Sequence, residues 1–338
     1  MSNKNKGELA EIIAVFDACL KREILGRRFD KAYFGNLKFD LEAGKCVISK
    51  KTMNVVVDIT QEEMSAMLEA LKTEAKKETS GGVVHNENIQ WIYDKFHGDS
   101  LKAGTANMMG TKLDAIYVQP NGRYIGVSYK SSLGANSVAI NATKASVARY
   151  EIHKKDDGVS IPKELAKSKL LQALADNPQV ELEFQEFGCG SGMEGIYKNI
   201  LYRIDENLPE YLPQWVVKGF QGDVIDGKRQ KLMLLQIAGE GVESARKYIK
   251  AGTFFLSGSK TLSDDFNEFD LLCEGNLGRD MNVTYSVVDD AYLDDKMSRL
   301  YFDGASEKKY GEWGHVLEIG GKEYIDLCIH IRAKPAKE

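Results

Sequence analysis

Two charged residues, Asp114 and Lys130, stand in or beside segments that are otherwise apolar or small. Asp114 begins the run Asp114-Ala115-Ile116-Tyr117-Val118, and Lys130 lies in the segment 124–132, after a Pro120-Asn121-Gly122 turn. This turn predicts a β-hairpin, which would bring the acid and the ammonium to the same end of a sheet. An acid there could hold a divalent metal ion, and the amine could orient an attacking water or stabilise phosphate oxygens. The pattern therefore suits hydrolysis of a phosphodiester.

Ser128 lies two residues before Lys130, so the two side chains share one face of the second strand. An Asp weakens a strand, and its presence at 114 calls for a reason. The competing interpretation is an exposed hairpin with a solvated Asp and Lys. The short pattern of an Asp followed by Ser-x-Lys is too common to decide between them alone.

An amphipathic helix is predicted from Lys6 to about Leu25, with one apolar face formed by Leu9, Ile12, Ile13, Phe16, Leu20 and Ile24. Glu8 falls in the first turn, where an acid complements the helix dipole. Glu11 stands beside the apolar face and could point inward. It could add another oxygen on the metal side of the site.

Further elements follow from periodicity and capping. Thr60-Gln61-Glu62-Glu63 predicts a capping box that opens a helix to about Lys77. The other predicted helices span about 89–97, 162–175, 193–207 and 228–249. The other predicted strands span 46–49, 54–59, 179–186, 283–288, 300–302, 315–319 and 324–332. The order indicates an α/β (α+β) protein with a mixed central β-sheet flanked by helices.

The charged turn 154–158 is the best candidate for a domain boundary. We expect a core in residues 1–153 that carries the N-terminal helix and the hairpin. Residues 154–338 would form a C-terminal α/β extension, helical and then β-rich.

Composition narrows the class of protein. The chain has 338 residues, 43% of them hydrophobic, and a formal net charge of −5, which disfavours an indiscriminate polyanion binder. The five scattered cysteines suit a reducing compartment, and no segment reaches the roughly 20 apolar residues of a membrane span. A cytoplasmic location is expected.

A longer run around Lys130 resembles a known family. The segment 125–137, Ile-Gly-Val-Ser-Tyr-Lys-Ser-Ser-Leu-Gly-Ala-Asn-Ser, is followed by Ile140-Asn141-Ala142-Thr143 and Tyr150-Glu151-Ile152. This run looks like the signature of the HpaII-type type II restriction endonucleases, in which Ser-x-Lys-Ser precedes Leu-Gly and then Asn-Ala-Ser or Asn-Ala-Thr. The stretches 5–8, 298–299 and 327–332 resemble the two ends of that family.

The resemblance implies a PD-(D/E)xK restriction-endonuclease-like core, dependence on Mg²⁺, and cleavage of double-stranded DNA at a short palindrome. Carried over, Asp114 is the metal-binding acid, Lys130 the catalytic lysine, and Ser128 stands in the slot of the second acid. Glu11 would be the glutamate that the wider superfamily often adds from its first helix. Two departures are Leu113 in place of the usual Pro and Ser128 in place of a carboxylate. Glu11 or a substrate phosphate oxygen would then complete the metal shell.

Residues that could contact DNA follow the lysine or lie near the C-terminus. They are Ser131, Ser132, Asn136, Asn141, Thr143, Arg299 and Arg332. Small polar residues also build ordinary loops, and a surface arginine in a strand is common. The C-terminal region would supply base contacts.

We therefore predict a site-specific deoxyribonuclease, a type II restriction endonuclease that uses Mg²⁺. A homodimer would suit a palindrome, and a cognate DNA methyltransferase would act on the same site without needing to bind the nuclease. Two alternatives stay open: a repair or junction-resolving nuclease, and a non-catalytic DNA-binding protein on the same fold, which Ser128 would favour.

Overall fold

The structure is a computed structural model. It describes the residues 4–49, 53–77, 83–84, 87–101, 113–131, 133, 138–139, 147–160, 177–187, 246, 250, 269–298, 300–302, 316–328 and 331–333. The helices predicted over 162–175 and 193–207 lie outside these residues, as does the one over 228–249 apart from residue 246.

The chain forms two compact units, and each combines two stretches of sequence. The first contains residues 1–136 and 261–292, and the second contains residues 137–260 and 293–338. The predicted boundary at 153/154 falls at the end of a strand in the second unit. Residues 261–292 therefore rejoin the unit that holds the hairpin.

The described helices include the two predicted most clearly. They are α1 (Lys6–Lys21), α2 (Gln61–Ala75), α3 (Gln90–Lys95) and α4 (Asp290–Ser298), with 3₁₀ turns at Glu87–Ile89 and Gly98–Ser100. Helix α1 ends earlier than predicted, and Arg22 after it takes a left-handed φ of 55°. The capping box is present: Thr60 Oγ1 accepts from Glu63 N at 3.1 Å, and Thr60 N donates to Glu63 Oε2 at 3.0 Å.

An eight-stranded mixed sheet dominates the first unit, as predicted for the class. Its strands, in sheet order, are β15 (Val283–Val287), β14 (Phe269–Leu277), β10 (Tyr124–Ser131), β9 (Ala115–Val118), β4 (Lys31–Phe34), β5 (Leu37–Asp40), β6 (Lys45–Ser49) and β7 (Asn54–Asp58). Only β10 and β14 pair in parallel; the other neighbours are antiparallel. Short strand pairs join β1 (Lys4–Asn5) to β8 (Val83–Val84), and β2 (Glu23–Ile24) to β3 (Arg27–Arg28).

The predicted hairpin is formed by β9 and β10. Gly122 has a φ of 82°, which favours glycine, and its N–H donates to Gln119 O at 2.9 Å. One face of β10 packs into the core with α1, through Ile125, Val127 and Tyr129. The opposite face carries Ser128 and Lys130.

The second unit contains two described sheets. One is antiparallel, in the order β13 (Val180–Phe187), β12 (Val147–Lys154), β18 (Lys322–Cys328) and β17 (Val316–Ile319); the other is β11 (Val138–Ala139), β19 (Ile331–Ala333) and β16 (Leu300–Phe302). The single strand predicted over 324–332 is thus two strands, which pair in different sheets. None of the described helices is both long and apolar enough to cross a membrane.

Candidate active site

Asp114 and Ser128 face each other across the hairpin. The paired register of the hairpin ends at Val127 and Ala115, and the next residues toward this end are Ser128 and Asp114. The ladder is irregular there, because Asp114 N donates to Val127 O at 3.0 Å, but the Ser128 hydroxyl donates to Asp114 Oδ2 at 3.2 Å. The two side chains therefore project from the same face of adjacent strands.

Hydrogen bonds hold the Asp114 carboxylate in place. Its Oδ2 accepts from Tyr129 N at 2.6 Å and from Ser128 Oγ at 3.2 Å. The Lys130 ammonium lies 4.0 Å from the same oxygen and donates to Ser128 Oγ at 2.7 Å. Ser128 is buried and links the acid to the amine. The structure thus brings Asp114, Ser128 and Lys130 together.

Burial dominates the electrostatics of Asp114. It raises the pKa of the carboxyl above its ordinary value, against the lowering effects of the Lys130 charge and of the hydrogen bond from Tyr129 N. The side chain keeps 18% of its accessible surface and that of Lys130 keeps 25%, so both groups can be reached from solvent. A carboxylate that is costly to ionise in this way is stabilised by a cation.

Glu11 belongs to the same electrostatic cluster. Burial, followed by the nearby Asp114 charge, raises the pKa of Glu11 to about 8, although the Lys130 charge lowers it. Within the described residues, no hydrogen bond or ion pair holds this carboxylate. The glutamate that the sequence reasoning selected on α1 therefore lies close to the hairpin acid and amine.

Glu274 is a neighbour that the sequence reasoning missed. It lies on β14, in the parallel register position beside Ser128, and its negative charge raises the pKa of Asp114. Its Oε2 accepts from Tyr292 Oη at 2.9 Å. The available signal was the alternation of β14, in which Phe269, Leu271, Cys273, Gly275 and Leu277 are buried while Asp270, Leu272, Glu274 and Asn276 are only partly covered.

The residues predicted to contact DNA are described only in part. Ser131 ends β10, and its Oγ accepts from Leu133 N at 3.0 Å, which is ordinary loop chemistry. Arg332 lies on β19, opposite Ala139 and Tyr301. Ser132, Asn136, Asn141, Thr143 and Arg299 lie outside the described residues.

The donor set of the first unit fits a divalent cation. Glu11, Asp114 and Glu274 offer hard carboxylate oxygens, the type of ligand that Mg²⁺ prefers. The charge of Asp114 raises the pKa of Glu11, and the charge of Glu274 raises the pKa of Asp114. Glu151, His153 and Glu183 form a separate group of possible ligands in the second unit. There Lys322 already pairs with Glu151 at 2.9 Å, so its charge is compensated by the protein.

A mixed α+β fold, with a large mixed sheet that presents an Asp and a Ser-x-Lys on one face, is consistent with a restriction-endonuclease-like fold. The comparison with protein families agrees, because the model of the HpaII restriction endonuclease family matches residues 30–224. The chain belongs to the HpaII restriction endonuclease family. No curated protein and no solved structure gave a significant match. The matched segment contains Asp114, Ser128 and Lys130, whereas Glu11 and Glu274 lie outside it.

Proposed function

We propose that this protein is a type II restriction endonuclease that hydrolyses double-stranded DNA at a short, specific sequence and depends on Mg²⁺. The observation that carries the proposal is the contact of Asp114, Ser128 and Lys130 at one end of the hairpin, with Asp114 Oδ2 4.0 Å from Lys130 Nζ. Membership of the family supports DNA as the substrate.

Each side chain has a separate task in this proposal. Asp114 and Glu11 would hold the cation, which would polarise the phosphate and make a water more acidic. Lys130 stabilises the phosphate oxygens and orients the attacking water, because its ammonium is fixed by Ser128 and by Tyr129 O at 3.1 Å. Ser128 has no charge to give the cation, and it sets the position of Lys130.

The target is proposed to be a short palindrome read by a two-fold dimer, because two identical sites then meet the two strands equivalently. Base contacts from the C-terminal region would provide specificity.

A plasmid digest followed by sequencing of the fragment ends tests this function. We expect discrete fragments in the presence of Mg²⁺ and none in EDTA. Asp114→Ala and Lys130→Ala should abolish cutting while leaving the far-ultraviolet circular dichroism unchanged. Asp58→Ala and Lys45→Ala, at exposed positions of the same sheet, are the matched controls and should cut normally.

The outcomes separate the alternatives. Full cutting by both Asp114→Ala and Lys130→Ala would remove the assignment. Cleavage of branched or damaged DNA alone would favour a repair or junction-resolving nuclease. Specific binding that never nicks any substrate would favour a non-catalytic DNA-binding protein.

A further inference from the structure

We infer that Glu274, on the strand next to Ser128, supplies the second metal-binding carboxylate. It would take the place of the acid that is missing at position 128, where this chain has a serine. This inference rests on the proposed nuclease function and assigns one more residue to that site. Glu274 lies outside the segment that matches the family, so the match does not assign it.

The sheet register carries the argument. Ser128 pairs with Glu274 between the parallel strands β10 and β14, and on its other side the Ser128 hydroxyl donates to Asp114 Oδ2 at 3.2 Å. Paired residues of neighbouring strands project from the same face, and neighbouring strands lie about 4.8 Å apart. Ser128 therefore lies between Glu274 on β14 and Asp114, the residue just before β9.

The small middle residue places no carboxylate of its own between the two acids. Ser128 ends at its hydroxyl, which already donates to Asp114 Oδ2 and accepts from Lys130 Nζ. A glutamate on the next strand has a longer side chain than a serine and can extend along the face toward Asp114. The effect of the Glu274 charge on Asp114 agrees with this proximity.

A tyrosine fixes the orientation of Glu274. Tyr292 Oη donates to Glu274 Oε2 at 2.9 Å, and Tyr292 N donates to Asp289 Oδ1 at 2.8 Å. The second bond is that of a helix N-cap, so the start of α4 sets the position of Tyr292. Tyr292 is a positioning residue, comparable to the outer residues that orient the ligands of other metal sites.

The proposed site takes three carboxylates from three separate elements: Glu11 on α1, Asp114 before β9 and Glu274 on β14. Among the described residues only Glu151, His153 and Glu183 have ligand atoms within 4.8 Å of one another, so an ion at Asp114 must draw these three carboxylates closer together. The ammonium of Lys130 supplies the positive charge of the protein beside these carboxylates. Metal affinity of oxygen sites depends on the number of charged ligands. Removal of the Glu274 charge should therefore weaken metal binding even when no DNA is present.

Titration of the purified full-length protein with Mn²⁺, followed by electron paramagnetic resonance of the free ion, measures this directly. We expect Glu274→Gln to weaken Mn²⁺ binding by about tenfold or more and to slow plasmid cleavage. Tyr292→Phe, which keeps the carboxylate but removes its hydrogen bond, should weaken binding by a smaller factor. It serves as the second test if Glu274→Gln does not fold.

Asp270→Asn is the matched control, because it removes another acid from β14 on the same face. Asp270 pairs instead with Arg123 and with Gln119 Nε2 at 2.8 Å, beside the start of β10. Its loss should leave Mn²⁺ affinity unchanged.

Two failures are distinguishable. If the wild type cuts DNA and binds Mn²⁺ through Asp114, but folded Glu274→Gln and Tyr292→Phe both keep wild-type affinity, Glu274 is not a ligand and the nuclease assignment stands. If the wild type neither binds Mn²⁺ nor cuts any DNA, the proposed function fails, and this inference fails with it.

Discussion

The hairpin β9–β10 and the strand β14 lie side by side in one sheet, yet they differ in how their function is encoded. The hairpin brings Asp114, Ser128 and Lys130 together through a local turn, so their spacing along the chain is informative. Strand β14 reaches the same sheet by a parallel pairing with β10 from a distant part of the chain. Its Glu274 has no motif around it.

Short sequence patterns carry functional information where the chain fixes the strand pairing locally. A hairpin fixes its register locally, and a pattern of a few residues then reports a spatial constellation. A parallel partner needs a long connection, and nothing in its own sequence states which residue it will face. Substitutions in the hairpin, in α1 and in β14 test whether these elements contribute to one site.

The largest effect is expected for Asp114→Asn, which removes the central charge of the hairpin. Cleavage should fall by at least about 10³-fold, equivalent to about 4 kcal/mol of the barrier, because metal binding and its geometry are both lost. Single-turnover cleavage of a plasmid measures this. Asp58→Asn should cut at the wild-type rate, and an active Asp114→Asn would show that the hairpin does not contain the site.

Glu11→Gln tests the helix contribution and should reduce cleavage by about 10- to 100-fold. Burial raises the pKa of Glu11 to about 8 in the folded protein, so the folded state keeps its proton at pH values where the unfolded chain has lost it. The stability contributed by this carboxyl is therefore complete below about pH 4.5 and is lost as the pH rises towards 8.

Metal-free Glu11→Gln should consequently melt at a higher temperature than the wild type at pH 8.5 and at a similar temperature at pH 5. Thermal unfolding in EDTA checks the direction of this change in melting temperature. Glu69→Gln is the control, because the side chain of Glu69 is 72% exposed. A Glu11→Gln variant that is less stable than the wild type at pH 8.5 would contradict the conclusion that burial raises the pKa of Glu11.

Ser128→Ala should have an intermediate effect. The substitution removes the hydroxyl that links Lys130 Nζ to Asp114 Oδ2, and a hydrogen bond to a charged group contributes about 1.5–3 kcal/mol. We expect cleavage to slow by about tenfold or somewhat more, with Mn²⁺ affinity changed little because Ser128 carries no charge. A strong loss of Mn²⁺ binding would show instead that the serine is itself a ligand.

Gly275→Ala should give the smallest effect on catalysis. An added Cβ would lie 2.6 Å from the Tyr129 ring, so the ring and its strand must shift. Overpacking of this kind costs about 1–3 kcal/mol of stability. Cleavage should fall only a few-fold, because a shift of Tyr129 would disturb the hydrogen bond from Tyr129 N to the Asp114 carboxylate. Gly158→Ala, where the nearest atom is 3.5 Å away, is the control and should leave the denaturation midpoint unchanged.

The sequence was sufficient for the elements with local signals. The helix α1, the capping box at Thr60, the hairpin and the mixed sheet were predicted and are present. The strands β4, β5 and β14 and the helix α4 were not predicted. Strand β14 alternates clearly, but its partner depends on pairing across the sheet, and the role of Glu274 depends on that pairing.

Glu8 and Glu11 show the same limit on a single helix. Both acids lie near the start of α1, and the sequence could only suggest that Glu11, next to the apolar face, points inward. The structure adds that Glu11 is near Asp114 and Lys130. Such proximity depends on how α1 packs on the sheet, which no local pattern specifies.

We propose that carboxylates from the hairpin and from β14 share one metal ion beside Lys130. An anomalous difference map from crystals of the protein soaked in Mn²⁺ would locate the ion. We expect a peak coordinated by oxygens of Asp114 and Glu274, with Lys130 Nζ next to it. A peak bound only by Glu151, His153 and Glu183, with none at Asp114, would contradict it.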